Sequence, residues 1–155
     1  MEAVRTRSIE RRSRDIAVPN LDDPKLALKG AGQYAEMCMG CHLAPGMKES
    51  PTRQGLYPKP PKLAEREINP RRVFWVIKHG IKMTGMPAWG ASHDDDTIWS
   101  LVAFLNQLPR LSPQQYKEMV DKAPRDKEME SMPAGIEHGS GGQSSSEPMI
   151  TAPRK

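Results

Sequence analysis

EMCMGCHLAPG, the stretch from Glu36 to Gly46, contains both cysteines of the chain, Cys38 and Cys41, and His42 directly follows the second. The spacing C-x-x-C-H is typical of covalent haem attachment. The two thiols add to two vinyl groups on one side of a porphyrin, and the adjacent histidine is thereby held beneath the iron as the proximal ligand. The motif therefore predicts one covalent haem c on Cys38, Cys41 and His42.

A pair of cysteines three residues apart has other uses, which compete with this prediction. A structural zinc site needs four ligands, and the histidines other than His42 lack the usual spacing; they are His79, His93 and His138. A thiol-redox pair would open a helix after a strand, whereas this pair lies at the end of a predicted helix. A disulfide between the two thiols would close a very short loop and stabilise little. Haem attachment is the interpretation that we favour, and a second signature is needed beside it.

The second signature is KMTGMPAWG, from Lys82 to Gly90. A methionine thioether completes a His/Met pair on haem iron and raises its reduction potential. Pro87 biases Met86 towards an extended backbone, Gly85 lets backbone approach the ring, and Trp89 can pack on the ring edge. We therefore predict Met86 as the distal ligand, with Met83 as the alternative ligand or a side chain that fills a gap in the core.

Helix signals are distributed along the first 122 residues. Asp23, Asn69 and Ser112 each precede a proline, which is typical of a capped helix start. Ser92 precedes three aspartates and is the predicted start of a fourth helix. The predicted helices span about 24–39, 70–79, 93–107 and 112–122, and Gly80 is expected to end the second. No stretch alternates as a strand would, so the predicted fold class is all-α.

The remaining segments are predicted to be irregular. Five prolines lie between 43 and 68, which predicts a long loop, and Pro, Gly, Ser and charged residues dominate from Ala123 onward, which predicts a disordered tail. In that tail, His138 with Met132 and Met149 is a weak copper alternative to a solvated linker. No apolar run approaches the roughly 18 residues of a membrane span.

The combined motifs resemble those of class I c-type cytochromes, over about Gly30 to Leu108. Members of that family carry a glycine, an aromatic residue and the first cysteine at intervals of four, as in Gly30, Tyr34 and Cys38. A final helix like LVAFL, Leu101–Leu105, crosses that glycine and aromatic residue through positions equivalent to Leu101 and Phe104. The resemblance implies three to five helices around one haem.

Further residue roles follow from the same resemblance. The proximal histidine donates its free ring N–H to a proline carbonyl in a Pro-x-Leu segment, which resembles Pro61-Lys62-Leu63 here, with Pro45 as the rival acceptor. Tyr34, Pro61 and Trp89 are thus expected around the ligands. We interpret Trp75 and Trp99 as core residues, and His79 and His93 as histidines near helix ends that do not bind iron.

The segments HLAPG, GLYPKPPKL and GIKMTGMPAWG further resemble a bacterial subgroup with an N-terminal membrane anchor, so we expect a missing anchor or signal before Met1. The predicted divisions are a basic N-terminal segment (1–22), a cytochrome c domain (23–110), a short C-terminal helix (111–122) and a disordered tail (123–155).

The expected protein is a periplasmic monomer, anchored or free, that exchanges electrons with a dehydrogenase or a terminal oxidase chain and does not bind nucleic acid. It is expected to be an electron carrier and not an enzyme. The alternatives are a haem-based catalyst or gas sensor with a labile sixth ligand, and a non-haem metal-binding or thiol-redox protein.

Overall fold

The structure, a computed structural model, describes residues 2–124, and its regular elements are helical throughout that range. The helices are α1 (Glu2–Ser13), α2 (Pro24–Gln33), α3 (Met39–His42), α4 (Pro51–Gln54), α5 (Pro70–His79), α6 (Asp95–Gln107) and α7 (Pro113–Lys122). A π-helical turn, Tyr34–Cys38, joins α2 to α3, and 3-10 turns lie at Leu63–Glu65, Trp89–Ala91 and Leu108–Arg110. The all-α prediction is confirmed.

Three helices begin at the residues that the Asx-Pro and Ser-Pro pairs predicted. The side chains of Asp23, Asn69 and Ser112 each accept a backbone N–H from the first turn, and the following proline is the first helical residue. Such caps satisfy amide groups that the helix itself leaves without partners. Helix α5 also ends as predicted, because Gly80 adopts a φ of 65° directly after His79.

The predicted start of α6 was wrong by two residues. Asp94, and not Ser92, is the cap: its carboxylate accepts the Thr97 backbone N–H at 2.7 Å. The Ser92 hydroxyl instead lies 2.8 Å from Nδ1 of His93. The 3-10 turn Trp89–Ala91 delays the helix, so the capping role passes from the serine to an aspartate.

Helical backbone also continues past the predicted end of the first helix at residue 39. The π-helical turn carries the chain into α3, which ends when Leu43 takes a φ of 64°. A π turn accommodates one extra residue per turn, and no proline lies between Tyr34 and Leu43 to break the helix. The cysteine pair therefore lies within the last helical turns.

Two helices form where none was predicted. Helix α1 lies in the basic segment 1–22 and packs on α5, and its Ile9 is buried. Helix α4 is a single turn inside the predicted loop 43–68; Ser50 caps it and Pro51 is its first residue. The Ser-Pro pair at 50–51 is the same signal that identified α7.

The core is organised by the crossing of α2 and α6. Gly30 lies so close to α6 that a Cβ atom there would be 2.0 Å from the carbonyl oxygen of Ser100. Directly after α2, at the start of the π-helical turn, the ring of Tyr34 lies 5.3 Å from that of Phe104, and Tyr116 of α7 approaches both. The crossing that the family resemblance implied is present, with Ser100 beside Phe104 at the closest point, and Leu101 buried nearby. Helix α7 packs on the same core.

The predicted tail lies outside the described residues from position 125 onward, and so does the copper alternative at His138, Met132 and Met149. Within the described range, none of the helices is both long enough and apolar enough to cross a bilayer.

Candidate functional site

The residues of the C-x-x-C-H motif lie on consecutive helical turns. Cys38 is the last residue of the π-helical turn, and Cys41 and His42 end α3. Residues three apart on a helix share a face, so the two thiols project to the same side. Both cysteines are unpaired thiols and both are partly accessible, which leaves them available for covalent bonds to one group.

His42 has one ring nitrogen committed and one free to bind a metal. Its Nδ1–H donates to the carbonyl oxygen of Pro61 at 2.8 Å, as the Pro-x-Leu segment predicted, with Pro61 and not Pro45 as acceptor. Burial lowers the pKa of His42, the Pro61 bond opposes that effect, and the positive charge of Arg53 lowers the pKa further. A neutral ring with its proton on Nδ1 presents the Nε2 lone pair, which is the form that ligates iron.

Tyr34 fixes the chain where it leaves the motif. Its buried phenol donates to the carbonyl oxygen of Leu43 at 2.6 Å, and Leu43 is the residue with the left-handed backbone. Burial raises the pKa of Tyr34, so the phenol keeps its proton. Tyr34 therefore holds the turn that directly follows His42.

Met86 is held in a defined backbone position. Its N–H donates to the Thr84 hydroxyl at 3.1 Å, and its carbonyl oxygen accepts the Ile81 N–H at 3.2 Å. The side chain is partly buried against the core. Met83, by contrast, is 93% exposed and adopts a φ of 61°. The alternative in which Met83 fills a gap in the core was therefore wrong.

Gly85 and Trp89, in the same Lys82–Gly90 segment as the two methionines, lie against other protein residues. A Cβ at Gly85 would lie 2.7 Å from Leu56 Cδ2, so a larger residue at this position would require the Leu56 side chain to move. Trp89 is partly buried against the core and meets His93 edge-on at 5.4 Å between ring centroids.

The remaining tryptophans and histidines form contacts of their own. Trp99 stacks on Phe74 at 4.1 Å, in agreement with its interpretation as a core residue. Trp75 lies 4.7 Å from the ring of His79, and the guanidinium of Arg12 in α1 lies over the same tryptophan. Both tryptophans thus have packing partners.

Cys38 is poorly suited to redox exchange. Burial, and then the neighbouring Cys41, raise the pKa of Cys38 to about 12. Thiol-disulfide exchange uses the thiolate, and burial disfavours the thiolate of Cys38. Within residues 2–124, no three His, Cys, Asp or Glu side chains converge as a metal ion would require. The zinc and thiol-redox alternatives gain no support.

Three functional neighbours of His42 were missed from the sequence. The Ser50 hydroxyl donates to the Gly40 carbonyl of the C-x-x-C-H motif, Arg53 donates to the Pro60 carbonyl beside Pro61, and Glu49 accepts from Arg53. The available signals were the Ser-Pro pair at 50–51 and the i, i+4 spacing of Glu49 and Arg53.

The donor set fits a covalently bound haem. Two accessible thiols share a helix face, one imidazole has a free Nε2, and one thioether is partly buried. Several apolar side chains nearby in the chain are only partly covered where they pack on the core: Met37, Met39, Leu63, Ala64, Ile68, Met86 and Trp89. Incompletely covered apolar residues beside such ligands suit an apolar macrocycle.

A family model described as cytochrome C oxidase, cbb3-type, subunit III, matches residues 25–105, which is just over half of the 155-residue chain. The match includes Cys38, Cys41, His42, Pro61 and Met86. Neither the curated proteins nor the solved structures gave a match to the chain.

Proposed function

This chain belongs to the family of cytochrome c oxidase, cbb3-type, subunit III, which are class I c-type cytochromes, and from that premise we propose that His42 and Met86 are the axial ligands of its haem. Membership of the family supports a haem c-type electron carrier with one covalent haem. The bound haem supplies an iron that cycles between the ferrous and ferric states.

The protein's own residues hold that group in place. Cys38 and Cys41 would supply the two thioether bonds to the haem, and His42 would present Nε2 to its iron. The proposal rests on the hydrogen bond from His42 Nδ1–H to the Pro61 carbonyl oxygen. This bond selects the tautomer that leaves Nε2 free for a metal, and it orients the ring in the protein itself.

Met86 is the proposed sixth ligand because its backbone is fixed on both sides and its side chain faces the core. A soft thioether favours ferrous iron and raises the reduction potential. If His42 and Met86 both bound the iron, a substrate would have to displace one of them. Electron transfer is therefore favoured over the alternative of a catalyst or gas sensor with a labile sixth ligand.

The proposed partners are redox proteins with acidic docking surfaces. Residues 24–110 carry twelve lysines and arginines against seven aspartates and glutamates, and Lys48, Arg66 and Lys82 are exposed. The family description names an oxidase, so a terminal oxidase chain is one candidate partner and a dehydrogenase is the other. Haem c is attached outside the cytoplasmic membrane, so we place the protein in the periplasm, with an anchor or signal as the expected means of export.

The experiment that tests this function compares two methionines of the same loop in the haem-loaded protein. Met86→Ala should remove the sulfur-to-iron charge-transfer band, lower the midpoint potential and open the haem to carbon monoxide, because water or another weak ligand replaces the thioether. Met83→Ala should retain all three properties, because the Met83 side chain is 93% exposed.

The comparison also decides between the proposal and its alternatives. Loss of the band in Met83→Ala alone would reverse the ligand assignment. A wild-type protein with a high-spin spectrum that binds carbon monoxide readily would favour the catalyst or sensor. Absence of a pyridine haemochrome from protein expressed in the periplasm would favour a non-haem function.

A further inference from the structure

We propose that Arg53 is a positioning residue for the proximal ligand: its guanidinium holds the Pro60–Pro61 segment, whose carbonyl in turn orients the His42 ring. This inference rests on the proposed function, in which His42 binds the iron. It assigns a role to α4, a helical turn that lies between the attachment motif and the acceptor segment in the chain.

The first contact joins Arg53 to the residue next to the acceptor. Arg53 Nε donates to the Pro60 carbonyl oxygen at 3.1 Å, and the adjacent Pro61 carbonyl accepts the His42 proton at 2.8 Å. Proline has no backbone N–H, so the segment YPKPPKL, Tyr57–Leu63, has few donors of its own with which to fix its position. A donor from outside the segment is therefore needed to hold these carbonyls, and Arg53 supplies one.

Arg53 is itself fixed by a carboxylate. Its Nη1 lies 2.9 and 3.0 Å from the two oxygens of Glu49, and its side chain is only 11% exposed. Lys59 reaches the same carboxylate at 3.2 Å from a more exposed position. Because the guanidinium is planar, the contact with Glu49 also fixes the direction in which Nε points at Pro60.

The same turn is tied to the attachment motif on the other side of His42. The Ser50 hydroxyl donates to the Gly40 carbonyl oxygen at 2.5 Å and accepts the Arg53 backbone N–H at 3.1 Å. Gly40 lies between the two cysteines, and Pro60 lies beside the acceptor of the histidine proton. Helix α4 and its cap Ser50 therefore link the backbone two residues before the histidine to the backbone one residue before its acceptor.

This link affects the iron as well as the fold. A stronger bond from Nδ1–H to a carbonyl raises the basicity of the ligating nitrogen and fixes the ring orientation. Loosening of the Pro60–Pro61 segment should weaken that bond without removing any ligand. Arg53 is thus expected to act on the histidine proton itself.

The test uses Arg53→Met with Lys59→Met as the matched control in the haem-loaded ferrous protein. Arg53 and Lys59 both pair with Glu49, so each variant removes one positive charge from that carboxylate. Only Arg53 also donates to the Pro60 carbonyl. With histidines labelled by ¹⁵N, the measurement is solvent exchange of the His42 Nδ1–H, beside exchange of the α6 backbone amides. We expect Arg53→Met to accelerate ring-proton exchange by about tenfold, as for loss of a charge-assisted hydrogen bond, with Lys59→Met near wild type.

The outcomes separate positioning from general stability. Equal exchange in Arg53→Met and Lys59→Met would overturn the proposal, and so would acceleration of the α6 amides by the same factor as the ring proton. If Arg53→Met fails to retain haem, Arg53→Lys replaces it. Arg53→Lys keeps the positive charge but replaces the planar guanidinium with an ammonium group. Ring-proton exchange at the wild-type rate in Arg53→Lys would overturn the proposal. Faster ring-proton exchange with unchanged exchange of the α6 amides would support it. In the wild type, absence of the ring-current shifts of an iron-bound His42 contradicts the proposed function independently of Arg53.

Discussion

At the scale of single residues, Tyr34 shows how a buried polar group stabilises an unusual backbone. Its phenol bonds to the Leu43 carbonyl at 2.6 Å, and Leu43 has a φ of 64°, a conformation that costs a non-glycine residue about 1–3 kcal/mol. The core around it is apolar, so the carbonyl has little access to water. The hydrogen bond therefore helps to offset the backbone cost immediately after His42.

Tyr34→Phe should lower the free energy of unfolding by about 1–3 kcal/mol, because it leaves a buried carbonyl without its donor. Denaturant titration of the haem-loaded protein measures this change. Tyr57→Phe is the control, since Tyr57 is 94% exposed, and it should leave the unfolding midpoint unchanged. Equal midpoints for both variants would show that the Tyr34 hydroxyl contributes nothing measurable.

At the scale of helices, the crossing of α2 and α6 depends on the absence of a side chain at Gly30. Gly30→Ala would place a Cβ 2.0 Å from a backbone oxygen of α6, and backbone cannot rotate away as a side chain can. We expect a loss of about 3 kcal/mol or more in unfolding free energy, at the upper end for overpacked cores.

Gly40→Ala is the matched comparison for Gly30, because a Cβ at Gly40 meets nothing within 4 Å of the protein and the residue is helical. Alanine should stabilise the helix there by roughly 0.5–1 kcal/mol. Denaturant unfolding of both variants checks the pair. A Gly30→Ala protein as stable as Gly40→Ala would mean that the two helices separate at little cost.

The cap of α6 gives a prediction that depends on pH. The Thr97 backbone N–H, and then the Thr97 hydroxyl, lower the pKa of Asp94 below its usual value. A carboxyl whose pKa is lower in the folded state stabilises the fold above the unfolded-state pKa, about 3.9, and loses that contribution as the pH falls through the folded value.

Asp94→Ala should therefore unfold at lower denaturant concentration than wild type near neutral pH, and the difference should shrink at about pH 3, below the unfolded-state pKa. Ser92→Ala should differ little from wild type at either pH, because Ser92 does not cap the helix. Unfolding titrations at both pH values make the comparison. The reverse ranking would restore Ser92 as the cap.

At the scale of the whole molecule, the excess of positive charge governs how partners approach. The chain has a formal charge of +4, and several lysines and arginines of residues 24–110 are exposed. Exposed charges steer an oppositely charged protein over distances comparable with the Debye length.

The second-order rate of electron transfer to an acidic redox protein should fall by about tenfold or more as the ionic strength rises from about 0.01 M to 0.5 M. Stopped-flow measurements of haem absorbance provide the rate. An uncharged small reductant is the control and should show a nearly constant rate. A partner rate that ignores salt would indicate that docking is mainly apolar.

Local sequence was sufficient for the features that depend on neighbouring residues. The three cap-proline pairs predicted the starts of α2, α5 and α7, because capping involves groups only two or three residues apart. Haem attachment at Cys38, Cys41 and His42 stays a prediction of the C-x-x-C-H spacing. Pro61 was found through a family resemblance, since no local rule joins His42 to a carbonyl 19 residues away.

Tertiary structure alone decided the contacts between distant segments. It showed that Met86 is partly buried and hydrogen-bonded through its backbone, whereas Met83, three residues earlier in the same loop, is exposed. It also brought Gly30 against the Ser100 carbonyl and aimed Arg53 at Pro60. Burial and long-range hydrogen bonds are set by how the helices pack, and a pattern that extends over a few residues does not contain that packing.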